Sequence, residues 1–354
     1  MRVLVTGGAG FIGSHLVDEL VAHGHDVLVI DSLHPGAHAV TPAYLDPRAR
    51  YGFEDLNGSR SLTAFVDGVD AVCHHAARVG LGRDFHDVVG YVQDNDLGTA
   101  MLLRAMHAAR FTGRIVLASS MVVYGDGRYR CTHHGDVRPS ERTRDALAAG
   151  DFEPPCPRCG SRLTPALVSE DATTDPRSVY AATKLQQERL CVVFGREHGV
   201  EVTALRYHNV YGPRMPGNTP YAGVASFFRS ALAEGRAPRV FEDGAQLRDF
   251  VHVRDVTRAT VLAVERPQAY DGPLNIGSGT PRAVLDLARE LCAATGSRTC
   301  RPIVTGEWRP GDVRHIVASS ERARVELGFS AEVGFEAGIE EFARTSLRAA
   351  PAES

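Results

Sequence analysis

The chain has 354 residues and a formal net charge of −4, from 39 basic and 43 acidic side chains. Its 44% apolar and 23% charged residues are ordinary for a globular protein and exclude collagen-like, disordered and coiled-coil classes. The balanced charge argues against nucleic-acid binding, and no apolar run approaches the roughly 20 residues that span a bilayer. The sequence opens on a buried strand rather than a charged leader, so we expect a cytoplasmic protein.

Short β-branched runs alternate with longer amphipathic stretches up to about residue 207, which is typical of a parallel sheet covered by helices on both faces. Strands are predicted at 3–5, 26–30, 51–53, 71–74, 114–118 and 202–207. Helices are predicted at 91–109, 179–197, 225–233, 282–294 and 335–346. We therefore predict an α/β fold, a doubly wound parallel sheet with a smaller C-terminal α/β lobe for the substrate.

A glycine-rich turn follows the first strand and opens a helix. Its Gly7, Gly10 and Gly13 have the spacing that a Rossmann-type fold uses for a tight turn, close backbone approach and close helix packing. The helix start can hold a pyrophosphate. Asp31 ends the second strand, where a carboxylate accepts from ribose hydroxyls and repels a 2′-phosphate, so NAD is favoured over NADP.

Tyr180 and Lys184 lie four residues apart in a predicted helix and so share one face. Lys184 is the only lysine of the chain, which otherwise uses arginine. A tyrosine that acts as a base near neutral pH must have its pKa lowered from roughly 10 to near 7. One cation at ~4 Å supplies an energy of that order at an effective dielectric of ~20. The alternative is an ordinary surface pair.

With these motifs the chain resembles the extended short-chain dehydrogenases/reductases, in the branch that acts on nucleotide sugars. Further matching segments are His74–Ala77, Asn95, Ser119–Gly125, Arg206–Arg214, Arg248–Phe250, Asn275–Gly277 and Arg309–Asp312. The resemblance implies a catalytic triad of Ser120, Tyr180 and Lys184, in which Ser120 hydrogen-bonds the sugar oxygen that is oxidised. The cofactor contacts that follow from it are Gly7, Gly10, Phe11, Ile12, Gly13, Asp31, Asp55, Leu56, Ala76, Ala77, Asn95, Tyr180 and Lys184.

The resemblance also implies an organisation and an assembly. Residues 1–204 would form an NAD-binding domain and residues 205–354 a nucleotide-sugar lobe, with segments such as 248–262 returning to the first domain. A homodimer would form through the helices at 91–109 and 179–197.

The residues after Ser120 bear on the reaction. Similar 4,6-dehydratases carry an Asp-Glu pair there, because removal of water needs a general acid and a base. Here the pair is Met121-Val122, which exchanges no protons. The sequence therefore predicts an NAD-dependent nucleotide-sugar 4-epimerase that passes through a 4-keto sugar. A dehydratase and a non-catalytic NAD-binding sensor or scaffold remain as alternatives.

The substrate's nucleotide diphosphate is expected in the second lobe, where Asn209, Arg248 and Arg309 match phosphate-contacting positions. Val240 and Phe241 could line the base pocket or belong to the core. Residues 78–81 and 216–221 are expected to decide which sugar binds.

Residues 128–169 show neither the helical nor the strand periodicity of apolar residues, so we treat them as an insertion. This insertion contains Cys131, His134, Cys156 and Cys159. Three thiolates and an imidazole fill a tetrahedron, so we predict a structural zinc, with reduced thiols or a labile disulfide as alternatives and His133 as an alternative ligand. The Cys-Pro-x-Cys-Gly motif resembles bacterial members similar to dTDP-L-rhamnose 4-epimerases, which favours a dTDP-6-deoxyhexose; UDP-glucose and UDP-glucuronate remain open.

The other cysteines offer no such pattern. Cys73, Cys191 and Cys292 lie in apolar runs and are predicted to belong to the core, and Cys300 has no evident partner. The odd total of seven argues against a disulfide framework.

Overall fold

A computed structural model describes residues 1–59, 61–80, 84–217, 223–296, 300–309 and 311–349. The described strands are β1 (Arg2–Thr6), β2 (Asp26–Ile30), β3 (Arg50–Gly52), β4 (Ala71–His74), β5 (Arg114–Ser120), β6 (Arg128–Cys131), β7 (Gly135–Val137), β8 (Thr164–Ala166), β9 (Val202–Tyr207), β10 (Asn209–Tyr211), β11 (Arg239–Val240), β12 (Leu247–His252), β13 (Gly272–Ile276), β14 (Pro281–Ala283), β15 (Ile303–Val304) and β16 (His315–Ile316).

The described helices are α1 (Phe11–Ala22), α2 (Leu62–Val66), α3 (Val88–Tyr91), α4 (Gly98–Ala108), α5 (Arg144–Ala148), α6 (Val179–His198), α7 (Val224–Ala233), α8 (Val253–Glu265), α9 (Val284–Ala294), α10 (Glu321–Leu327) and α11 (Phe335–Arg344). A π-helical segment, Val92–Leu97, joins α3 to α4. None of the helices in the described ranges combines the length and the hydropathy needed to cross a membrane.

The central sheet has seven parallel strands in the order β13-β9-β5-β4-β1-β2-β3, which confirms the predicted Rossmann-type doubly wound sheet. Alternate residues of β1 face opposite cores: Val3 and Val5 contribute to one and Leu4 to the other, all fully buried. Helices α1 and α8 cover the first face, and α4 and α6 cover the second. Such two-sided burial explains why the strands are continuously apolar.

Beyond residue 204 the chain passes repeatedly between the two lobes. Strand β13 pairs with β9 in the central sheet, whereas β10, β12, β14 and β16 form a separate sheet. Helices α7, α9 and α11 contribute to the core of the second lobe. Helix α8, which includes most of the segment expected to return to the first domain, packs against α1.

The insertion has its own small fold. Strands β7, β6 and β8 form an antiparallel sheet in that order, and Tyr129, Cys131, Cys156 and Leu163 make a buried cluster beside it. The strands have only three or four residues each, which is too short for a clear period in the sequence.

One cysteine prediction was wrong. Cys300, which has no evident partner in the sequence, is joined by a disulfide to Cys292 of α9, with 5.5 Å between their Cα atoms. Cys292 is buried as predicted. Cys73, Cys131, Cys156, Cys159 and Cys191 form no disulfide.

Candidate active site

The glycine-rich turn lies where β1 gives way to α1. Gly7 has φ +70°, and a Cβ on it would lie 2.7 Å from the backbone nitrogen of Ala76, while a Cβ on Gly13 would overlap the carbonyl oxygen of Gly7. Gly10 is the N-cap of α1 and has no side chain. The N–H groups in the first turn of α1 therefore donate no hydrogen bond to a capping side chain. This bare helix start is a cradle that fits a pyrophosphate.

Asp31 stands beside this turn with its carboxylate held in place. Its Oδ2 accepts from the N–H of Ala9 at 2.9 Å and its Oδ1 from the N–H of Leu33 at 2.8 Å. Each carboxylate oxygen can accept more than one hydrogen bond, so both retain capacity for a ribose hydroxyl. Asp55 is exposed and accepts from the N–H of Asn57, and the neighbouring Leu56 is buried.

The predicted triad comes together at the carboxyl end of β5. Ser120 ends this strand, and Tyr180 lies in the first turn of α6, whose start is capped by Ser178 accepting from the N–H of Ala181. Burial raises the pKa of Tyr180 to about 12, and its hydrogen bond with Ser120 lowers that pKa only in part. The phenol and the hydroxyl therefore lie close enough to interact at the carboxyl end of β5.

Lys184 follows one turn later on α6 and is 3% exposed. Its Nζ donates to Oε1 of Gln187 at 2.7 Å. Burial lowers the pKa of Lys184 to about 8, although the Glu188 carboxylate opposes this. The sequence predicts that Lys184 lowers the pKa of Tyr180, but in the structure that pKa is raised, because burial of the phenol outweighs the opposing contributions.

A chain of buried polar groups behind Lys184 is not apparent from the sequence. Gln187 donates from Nε2 to Oγ1 of Thr99 at 2.8 Å, and Thr99 lies 2.9 Å from Nε2 of His74. His74 in turn lies 2.7 Å, through Nδ1, from Oγ1 of Thr6 at the end of β1. Burial lowers the pKa of His74 to about 3, with Lys184 adding to the effect, so the imidazole is neutral. The chain joins the lysine to the strand that carries the glycine turn.

Asn95, a predicted cofactor contact, lies fully buried in the π-helical segment. Its Oδ1 accepts from the N–H of Arg78 at 2.7 Å, and its Nδ2 donates to the Arg78 carbonyl and to Oγ1 of Thr183. It therefore ties the loop after β4 to α6. Ala76 of the same loop, which with Ala77 is a predicted cofactor contact, donates its N–H to Oγ1 of Thr6, so the loop also lies against the end of β1.

A buried ion pair below the triad also escapes the sequence pattern. Arg206 of β9 donates from Nε and Nη2 to the Glu188 carboxylate at 2.9 and 2.8 Å, and Ser119 donates to the same carboxylate. A charged residue inside an apolar strand is the signal that could have indicated it. The pair fixes β5, β9 and α6 relative to one another.

The predicted phosphate-contacting residues lie in the second lobe. Asn209 has a buried Oδ1 with no hydrogen-bond partner among the described residues; this oxygen is an acceptor, so a phosphate would have to be bound through the Nδ2 donor instead. Arg248 donates to the carbonyls of Leu247, Val313 and Arg314, which occupies three of its five N–H groups. Arg309 is exposed, and its guanidinium carbon lies 4.8 Å from the ring centre of Phe241.

Val240 and Phe241, which the sequence assigns either to the base pocket or to the core, differ in their burial. Val240 is fully buried in the core of the second lobe, whereas Phe241 is half-buried and carries Arg309. Of the positions expected to decide the sugar, Leu81 and residues 218–221 lie outside the described residues, as does Pro310 of the Arg309–Asp312 segment.

The insertion brings its four predicted metal ligands together. The Sγ atoms of Cys131 and Cys156 each lie 3.6 Å from Nδ1 of His134, and Cys131 and Cys159 are 3.7 Å apart between sulfurs. All four ligand atoms lie within 4.8 Å of one another. Zn–S bonds of about 2.3 Å and Zn–N bonds of about 2.0 Å on a tetrahedron give edges of about 3.8 Å between sulfurs and about 3.5 Å from sulfur to nitrogen. The donor set and its spacing fit a closed zinc site with His134, rather than His133, as the imidazole ligand.

Comparison with known proteins gives consistent matches. A sequence profile described as the NAD dependent epimerase/dehydratase family matches residues 3–144 and 160–277. The gap in this match, 145–159, falls inside the insertion.

Individual relatives cover nearly the whole chain. The dTDP-L-rhamnose 4-epimerase of Burkholderia thailandensis is 33% identical, over 96% of this chain and 93% of its own. The UDP-glucose 4-epimerase of Corynebacterium glutamicum is 30% identical, over 94% of this chain and 91% of its own. The structure of Bacillus cereus UDP-glucuronic acid 4-epimerase with UDP-glucuronic acid and NAD has a TM-score of 0.75 at 27% identity, covering 97% of this chain and 98% of that one.

Proposed function

Because the chain belongs to the NAD dependent epimerase/dehydratase family, we propose that it is a nucleotide-sugar 4-epimerase that keeps its NAD bound. The observation that carries the proposal is the arrangement of Ser120, Tyr180 and Lys184 at the sheet edge beside the glycine turn, with Met121 and Val122 directly after Ser120. This set can move a proton on and off one hydroxyl but offers no acid-base pair for loss of water.

NAD would be held by the glycine turn and Asp31, and it supplies the acceptor and donor of a hydride. Tyr180 would take the proton of the hydroxyl at carbon 4, with Ser120 hydrogen-bonded to the same oxygen. The ammonium of Lys184 lies one helical turn from Tyr180 and would hold the nicotinamide ribose. Positive charge on a bound nicotinamide would add to that of Lys184 and favour the phenolate.

Epimerisation requires the keto sugar to present its other face before Tyr180 returns the proton. No net oxidant is consumed, because the cofactor ends in the state in which it began. Dehydration is disfavoured because the turn Met121–Tyr124 begins with two apolar side chains where similar dehydratases carry carboxylates. A non-catalytic sensor would have no use for a buried lysine beside a Ser–Tyr pair.

We propose a dTDP-6-deoxyhexose, such as dTDP-L-rhamnose, as the substrate. The 33% identity to the Burkholderia enzyme and the Cys-Pro-x-Cys-Gly insertion support this choice. UDP-glucose and UDP-glucuronate are the alternatives, which the relatives from Corynebacterium glutamicum and Bacillus cereus favour.

The test of the reaction is NMR of purified protein with dTDP-L-rhamnose, UDP-glucose and UDP-glucuronate, without added NAD. We expect the 4-epimer of one sugar to appear and reach a constant ratio. No product from any of the three would contradict an epimerase, and a 4-keto-6-deoxy product would indicate a dehydratase instead.

We propose that the insertion binds one structural zinc through Cys131, His134, Cys156 and Cys159. With four protein ligands it leaves no open coordination position, so it has no direct part in the chemistry. His134→Ala should purify without zinc by elemental analysis, whereas the matched His133→Ala should retain about one zinc per chain. Equal zinc content in the two variants would contradict this ligand set.

We further propose a homodimer formed by the helices around Val88–Ala108 and α6. Large apolar side chains on these helices are exposed: Val89, Val92, Leu97 and Val193 range from 43% to 62%. Exposed apolar residues concentrated on two neighbouring helices are typical of a covered surface.

A further inference from the structure

The insertion is bound to the second lobe through a buried arginine. Arg314 is 1% exposed. Its Nη2 donates to Oε1 of Glu153 in the insertion at 2.7 Å, and its Nη1 donates to Glu242 at 2.8 Å and Asp243 at 2.7 Å in the second lobe. Loss of Glu153 would leave Arg314 with the two second-lobe carboxylates only and would remove this link between the insertion and Arg314.

Arg142 of the insertion makes a second link. Its Nη1 donates to Oε1 of Glu242 at 2.7 Å, and its Nη2 donates to the carbonyl oxygen of Asp312 at 2.5 Å. Arg142 therefore binds the same second-lobe carboxylate as Arg314 and also holds the backbone two residues before Arg314.

A third link runs through His315. Its N–H donates to the hydroxyl of Tyr129 at 3.1 Å, and its Nδ1 accepts from the N–H of Leu247. The other ring nitrogen, Nε2, lies 2.9 Å from Oε2 of Glu153. Burial alone would raise the pKa of Glu153, but the hydrogen bonds from His315 and Arg314 outweigh it and hold that pKa at about 2.

Residues 312–315, which these contacts hold against the insertion, position the side chain of Arg248. The guanidinium of Arg248 donates to the carbonyls of Val313 at 2.6 Å and Arg314 at 3.0 Å. Burial raises the pKa of Asp312, and the nearby guanidinium groups of Arg248 and Arg309 oppose this effect without outweighing it. Arg248 and Arg309, the two arginines that match phosphate-contacting positions, thus both interact with residues 312–314. The position of these residues depends on the insertion.

Two of the metal ligands lie close in sequence to the insertion residues that contact residues 314–315. Tyr129 is two residues before Cys131, and Glu153 is three residues before Cys156. Both cysteines and Tyr129 are buried in the small core of the insertion. A metal joining the two cysteines would fix the distance between the two points at which the insertion holds residues 312–315.

We propose that the insertion supports the nucleotide-diphosphate subsite, so that metal binding at Cys131, His134, Cys156 and Cys159 sets the affinity for the nucleoside diphosphate part of the substrate. Glu153 and Arg142 are positioning residues that act through the backbone of residues 312–315 on Arg248. This inference rests on the proposed function. The glycine turn and Asp31 make no part of these contacts, so NAD retention is independent of the insertion.

The test is calorimetric titration of the NAD-containing protein with UDP and with dTDP. Three other samples are compared with the wild type: protein depleted of zinc by a chelator, Glu153→Gln, and Asp151→Asn as a matched change at an exposed carboxylate two residues away. We expect the dissociation constant to be at least tenfold larger for the zinc-depleted protein and for Glu153→Gln. Asp151→Asn should leave it unchanged. Bound NAD, measured after denaturation, should stay constant throughout.

Turnover of the sugar nucleotide gives a second measurement. A positioning role predicts a raised KM for Glu153→Gln with kcat within about twofold of wild type, whereas general destabilisation would lower both kcat and NAD content. If the chelated protein unfolds, Glu153→Gln decides, because it keeps all four metal ligands. Wild-type affinity in Glu153→Gln would overturn the inference. Failure of the wild type to bind either nucleotide would overturn the proposed function and the inference together.

Discussion

Lys184 is the single lysine of a chain that uses arginine elsewhere for positive charge, and it is buried. An ammonium is a compact charge on a flexible stem, whereas a guanidinium is planar, larger and always charged. The space beside Lys184 is bounded by Gln187 and by the Glu188 carboxylate that binds Arg206. A second guanidinium would have to compete for these groups.

We therefore expect Lys184→Arg to keep the charge but lose at least about 100-fold in kcat, because the donor no longer reaches the ribose and Tyr180 in one geometry. Arg189→Lys, an opposite exchange at an exposed position of the same helix, is the control and should be near wild type. Steady-state rates with NAD content checked in each sample measure this. Near-normal turnover in Lys184→Arg would refute the assigned role.

The pKa of Lys184 gives an expected pH dependence. Burial places this pKa at about 8, so the ammonium is present below that pH and is lost as pH rises through it. We expect kcat to decline with a midpoint near pH 8. Gln187→Leu removes the acceptor that favours the charged form and should move this midpoint down by about one pH unit, since a hydrogen bond to a charged group contributes about 1.5 kcal/mol.

Gln186→Leu, at the exposed neighbouring position, should leave the midpoint in place. The measurement is kcat across pH 6 to 10. A Gln187→Leu midpoint equal to that of wild type would show that Gln187 does not act on the lysine charge.

At the scale of the elements, the sheet is predictable because its strands are buried on both faces and read as short apolar runs between turns. The bounds of β2, β4 and β9 agree with the sequence prediction. The fold of the insertion could not be predicted in this way, because its strands are short and its contacts lie with residues 242–243 and 312–315, far away in sequence. The relay from Lys184 to His74 and the buried Arg206–Glu188 pair depend equally on tertiary packing.

The exposed apolar face on the helices around Val92 and Val193 leads to an assembly prediction. Val92→Asp combined with Val193→Asp should convert a dimer to a monomer, because each copy would bury two carboxylates opposite an apolar surface. Val325→Asp, at a valine of α10 that is more exposed than either of these two, should remain dimeric. Light scattering after size-exclusion chromatography measures the mass. A monomeric wild type would contradict the proposal outright.

At the scale of the whole molecule, several histidines are buried in neutral form. Burial lowers the pKa of His74 to about 3 and those of His208 and His252 to about 4. Each binds a proton more readily in the unfolded chain, where its pKa is about 6.5. The stabilisation is therefore complete above pH 6.5 and is lost as pH falls from there towards 4.

We expect the free energy of unfolding to fall by about 3 kcal/mol between pH 6.5 and 5.5, at about 1 kcal/mol per histidine, because the unfolded imidazole is already half protonated at pH 6.5. Glu153, with its pKa held at about 2, keeps its contribution in this window. Urea unfolding followed by circular dichroism at the two pH values measures the change. His208→Phe should show a smaller pH dependence, and equal stability of the wild type at both values would contradict the prediction.

The repeated passage of the chain between the two sheets limits how the molecule can move. Strand β9 runs into β10 through a single residue, β12 runs directly into α8, and β13 leads through a short turn to β14. Three short connections thus join the two lobes, so we expect the lobes to hinge less than they would across a single linker. In the proposed reaction, the 4-keto sugar would therefore have to turn over in a site whose two sides move little relative to each other. We expect movements of side chains and surface loops, rather than opening of the two lobes, to permit that rotation and the release of the product.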